Sequence, residues 1–97
     1  MDAKRLLDSI GKEIFINYFY DFKNCKDKSK LAQKLLEENP KATKIGGQVT
    51  RINCAVRIIN DKNTLIESLN LVINSNRLSN EIINKAHNIK LKELEMV

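Results

Sequence analysis

Apolar residues recur along this chain at helical spacing in five stretches, and nowhere does a period of two take hold. Leu7, Ile10, Ile14, Tyr18 and Phe22 follow one another at three- and four-residue steps, and Leu6, Phe15 and Phe19 widen the stripe. This spacing predicts one long helix from Asp2 to about Phe22. All the aromatics (Phe15, Tyr18, Phe19, Tyr20, Phe22) crowd its second half, which with Ile14 and Ile16 is apolar nearly all round. Such a helix must be covered on more than one side. It is expected either as the central core helix or as a dimer interface that hides the second face.

A polar, lysine-rich connector leads from Lys23 to Lys28 into a second helix, about 29–38, capped by Asp27 or Ser29, with Leu31, Ala32, Leu35 and Leu36 inward. Asn39-Pro40 ends it, because the residue before proline is pushed out of the α region. The same dipeptide suits the start of a short helical turn, since Asn caps well and Pro fits the first helical position. Gly46-Gly47 is read as a break. A third helix, 48–60, then turns Val49, Ile52, Ala55, Val56 and Ile59 inward, and Asn60-Asp61-Lys62-Asn63 ends it. A fourth, about 64–75, buries Leu65, Ile66, Leu69, Val72 and Ile73. Ser79 or Asn80 caps a fifth, about 80–95, with Ile82, Ile83, Ala86, Ile89 and Leu94 inward. The expected class is all-α: a small orthogonal bundle of about five helices in one domain over 1–97. Residues 29–60 would form a helix-turn-helix-like unit and 64–95 a C-terminal helical pair.

A content of 42% hydrophobic and 30% charged residues suits a globular domain and is too apolar for a disordered chain. No run approaches the roughly 20 apolar residues that span a bilayer. No apolar h-region follows the N-terminus, so a cytoplasmic protein is expected. In that compartment Cys25 and Cys54 are expected as reduced thiols, because a disulfide scaffold would show a denser cysteine set. Heavy use of Asn, Ile and Lys, all with AT-rich codons, suits a bacterial or phage source.

Charge changes the picture most. Residues 23–60 carry nine basic side chains against three acidic, whereas residues 1–22 carry three against four and residues 61–97 five of each. A bias confined to one segment points to a surface built for a polyanion. On the third helix, at about 100° per residue, Val49, Ile52, Val56 and Ile59 cluster within about 80° of arc. Thr50, Asn53, Cys54 and Arg57 fall opposite, with Gln48 and Arg51 on the flanks, and no acid lies between Gln48 and Asn60. Arg, Asn, Gln and Thr are the residue types that read base edges. Gln48, Thr50, Arg51, Asn53 and Arg57 are therefore the expected base contacts, with Lys28, Lys30, Lys41 and Lys44 on the backbone phosphates. Two features depart from a standard helix-turn-helix: the break from Asn39 to Gly47 exceeds a three- to four-residue turn, and the third helix holds only two arginines.

Other chemistry is not signalled. His87 is the single histidine, the cysteines lack CxxC spacing, and no GK[ST] or GxGxxG accompanies Gly46-Gly47, so neither metal, cofactor nor catalysis is expected. The expected role is a small DNA-binding protein, a bacterial or phage transcriptional regulator that reads duplex DNA through residues 29–60 as a dimer. About six neutralised phosphates would give a log K–log salt slope of about −5. The rival is a non-catalytic adaptor or inhibitor that docks the same basic face on an acidic protein groove. RNA binding is disfavoured because the aromatics do not interleave with the lysines; Tyr18 or Tyr20 exposed beside lysines would reopen it. Lysines 23, 26, 28, 30, 34, 41 and 44 also admit a reading as mere solvated decoration, with Lys34 paired to Glu38 one turn on.

Overall fold

The structure is a computed structural model that describes residues 3–39 and 44–95, and every regular element among them is a helix. The first stretch is not one helix but three: α1 (Ala3–Ile10), α2 (Lys12–Asn17) and α3 (Phe19–Lys23). Gly11 makes the first break at φ 93°, where a side chain would be strained, and its N–H closes α1 by donating to the Leu7 carbonyl at 2.8 Å. The second break is milder. Tyr18 sits at φ −110°, ψ 18°, yet backbone bonds from Tyr18 to Ile14 (3.0 Å) and from Phe22 to Tyr18 (2.9 Å) run across it. Bending in this way lets an all-round apolar sequence face several neighbours. Phe15, Phe19 and Phe22 are each at most 2% exposed, covered by α5 and α7 of the same chain. Full burial of such rings is worth about 1.5–3 kcal/mol each.

The later helices start where side chains cap them. Asp27 accepts from the Ser29 and Lys30 amides (3.0 and 3.2 Å) to open α4 (Lys28–Glu38). Asp61 accepts from Asn63 and Thr64 to open α6 (Lys62–Ile73), and the Ser79 hydroxyl accepts from Ile82 to open α7 (Asn80–Glu95). Between α4 and α6 lies α5 (Ile45–Asn60), which begins three residues before the expected position. Gly46-Gly47 is thus its first turn and not a break. Helix propensity disfavours that, but tertiary packing along α5 overrides it. The expected short turn at Asn39-Pro40 falls largely on residues 40–43, outside the described ones.

The core draws on all seven described helices: Leu7 and Ile10, Phe15 and Ile16, Phe19 and Phe22, Leu31 and Leu35, Ile52 and Ile58, Leu69 and Val72, Ile82 and Ile89. Its axis is α5, which packs against α1, α3, α4 and α6; the aromatic stretch is a wall beside it instead of the centre. Polar ties join the walls. Lys23 Nζ lies 2.9 and 3.0 Å from the two carboxylate oxygens of Glu93, linking α3 to α7. The Tyr18 hydroxyl donates to Glu38 Oε1 at 2.8 Å, and Lys90 Nζ donates to Asn70 Oδ1 at 2.7 Å. Both cysteines are free, half-buried and packed against the core. No described helix is long and apolar enough to cross a membrane.

Candidate nucleic-acid interface

Enclosure by four helices decides which residues of α5 remain outside. Gln48, Ile52, Ala55 and Ile58 are the buried ones. They span about 120° of arc. Across from them Gly46, Thr50, Asn53, Arg57 and Asn60 are exposed. These five span about 80° and form a single stripe about 21 Å long at 1.5 Å per residue. Relative to the sequence-based wheel the inward sector is rotated toward Ile58, because α4 and α6 cover α5 as well as α1.

The stripe receives one of the four expected backbone lysines directly. Lys28, at the start of α4, donates from Nζ to Asn53 Oδ1 at 2.9 Å, which sets an ammonium group beside the stripe at Asn53. Lys44 takes the N-cap position of α5 and is exposed, but its side chain makes no capping bond, so the amides of the first turn lack the carboxylate that closes α4 and α6. Among the described residues, no side chain at exposed Gly46 or Gly47 covers those amides. A polyanion meeting this end finds a helix dipole of favourable sign beside Lys44.

Other expected contacts lie elsewhere. Gln48 is 3% exposed and works inside the protein, donating from Nε2 to the Lys44 carbonyl (3.3 Å) and accepting from Arg51 Nη1 (2.9 Å). Arg51 is consequently half-buried, about 120° round the helix from Arg57. Lys30 projects about 200° round α4 from Lys28, away from the stripe. Lys41 lies outside the described residues. Lys23 is taken by Glu93, and Lys34 pairs with Asp21 at 3.5 Å and lies 5.8 Å over the Tyr18 ring instead of meeting Glu38, whose carboxylate holds the Tyr18 hydroxyl. Burial and the neighbouring Glu38 carboxylate raise the Tyr18 pKa above the usual tyrosine value.

What the arrangement brings together is therefore Lys28, Thr50, Asn53 and Arg57, with Lys44 at the N-cap about 160° round α5 from Gly46. Gly46 and Asn60 belong to the same stripe and were not expected there. Their signal was the spacing 46, 50, 53, 57, 60, an unbroken line of non-apolar positions at three- and four-residue steps. Comparison with known proteins adds no relative: no family model, no curated protein and no solved structure matches this chain.

Proposed function

We propose that this chain is a small DNA-binding protein, a transcriptional regulator of the bacterial or phage kind, that lays the exposed stripe of α5 on duplex DNA. α4 and α5 would act as a widely spaced helix-turn-helix unit, and two copies would read two half-sites about one helical turn apart. The single observation that carries the reading is the Lys28–Asn53 hydrogen bond, which couples a cation on one helix to a base-reading carboxamide on the next. On docking, Lys28 swings from Asn53 to a phosphate. That frees the Asn53 carboxamide for an adenine edge, with Arg57 beside it for guanine or phosphate. Thr50, whose hydroxyl donates to the Gly46 carbonyl at 3.1 Å, offers its methyl group to thymine. Gln48 and Arg51 drop out of the contact set because they bond to each other.

With Lys28 and Arg57 on the face and Lys44 at the N-terminal end of α5, about three phosphates are neutralised. The log K–log salt slope should then be about −3, shallower than the composition of the segment alone implies. Anisotropy of labelled random and genomic duplexes at two salt concentrations measures this. Lys28→Glu with Arg57→Glu should abolish binding while circular dichroism keeps its helical signal. If wild-type protein binds no duplex at about 50 mM salt, the DNA reading is lost. The same basic face is then better read as an adaptor or inhibitor surface for an acidic protein.

A further inference from the structure

A second basic surface uses no residue of the 23–60 segment. It is a groove of about 280 Å³ between the α2–α3 bend and α7. Ile16 and Ile89, 3% and 4% exposed, form its floor. One wall is the ring of Tyr20, 44% exposed, held edge-to-face by Phe19 with centroids 5.2 Å apart. Lys92 Nζ sits 5.9 Å above that ring. Lys85, two turns earlier on α7, donates to Asn17 Oδ1 at 3.2 Å, and Asn88 stands between the two lysines. The lining contains two ammonium groups, two carboxamides and no carboxylate. Glu81 lies 3.6 Å from Lys85, but its side chain is 77% exposed, so the pairing is weak and readily displaced.

We propose that this groove binds one nucleotide unit. The base stacks on Tyr20 above the isoleucine floor, the Asn17 and Asn88 carboxamides meet its edge, and Lys85 and Lys92 hold the phosphate. A cation resting on an exposed aromatic face marks a surface suited to a flat π ligand. Moving Lys92 from the ring to a phosphate opens the face and satisfies the charge at once. The volume is at the small end for ligand pockets and admits one base with its sugar phosphate, not a dinucleotide. An acidic peptide would use the lysines but leave the Tyr20 face and the carboxamides idle. A free nucleotide and one unit of a single strand present the same groups, and the site takes either. It stands independently of the duplex-binding face, since the two share no residue.

The test is amide chemical-shift titration of the full chain with AMP, inorganic phosphate, the hexanucleotide d(A)6 and hexaglutamate. AMP is expected to perturb residues 16–20 and 85–92 and to bind about tenfold or more tighter than phosphate, because stacking adds to charge. Tyr20→Leu and Lys92→Gln should each weaken AMP by about tenfold while the duplex affinity of α5 stays unchanged. Tighter binding of d(A)6 than of AMP identifies a strand as the source; equal binding identifies the free nucleotide. AMP no tighter than phosphate, shifts mapping elsewhere, or hexaglutamate matching AMP with Tyr20→Leu without effect would each overturn the proposal.

Discussion

Two adjacent glycines in the first turn of the central helix carry a cost that the fold does not require. Gly46 and Gly47 have ordinary helical φ values, both are exposed, and a Cβ built at either meets no described atom within 4 Å. Nothing in the packing of the described residues therefore selects glycine at either site. Replacing each by alanine narrows the unfolded ensemble and gains helix propensity, about 0.4–1 kcal/mol per site, hence about 1–2 kcal/mol for Gly46→Ala with Gly47→Ala. For a domain of this size that is a rise in Tm of roughly 5–15 °C, read by circular dichroism at 222 nm, with the urea midpoint raised and the m-value unchanged. Duplex affinity should move the other way, since two methyl groups at the uncapped end of α5 hold a phosphate off its amides. A variant that is more stable and binds more weakly is the expected result. A lower Tm in either single variant would refute the reasoning, because it would mean that the Cβ space is occupied or that the first turn is not helical.

Other expectations follow from single side chains. Ser68 is fully buried on α6 and its hydroxyl meets no hydrogen-bond partner among the described residues. Ser68→Ala should therefore be neutral or stabilising by up to about 1–2 kcal/mol in urea unfolding, and a loss above about 0.5 kcal/mol would contradict the assignment. Burial and Glu38 raise the Tyr18 pKa, so the neutral phenol is the folded form's preference. The stability this gives is present below the unfolded value near 10 and is lost as pH climbs through the raised folded value. Tyr18→Phe should cost a few tenths to about 1 kcal/mol at pH 8, and its deficit should vanish in strong alkali. A deficit that stays constant from pH 8 to 11 would disprove the link.

Local chemistry was legible and tertiary chemistry was not. The expected starts of α4, α6 and α7 lie within two residues of the observed ones, because Asp27, Asp61 and Ser79 act on amides two or three positions away. The long first helix misled because apolar spacing continues through Gly11 and Tyr18, while the backbone does not. On α5 the buried sector was misjudged because four surrounding helices make most of its circumference apolar; the narrow polar line was the better marker. Which lysines belong to a surface depended on partners such as Glu93 for Lys23 and Asp21 for Lys34, which no spacing rule connects.

Because α5 packs against α1, α3, α4 and α6, tilting or sliding it toward a ligand would break contacts with four helices. On the proposed DNA-binding reading, a helix held in this way would hand most adjustment to the duplex. Sites whose pyrimidine–purine steps bend at low energy should be preferred over stiff A-tract sites carrying identical contact bases. Selectivity would then reside partly in the mechanics of the ligand, at positions no side chain touches.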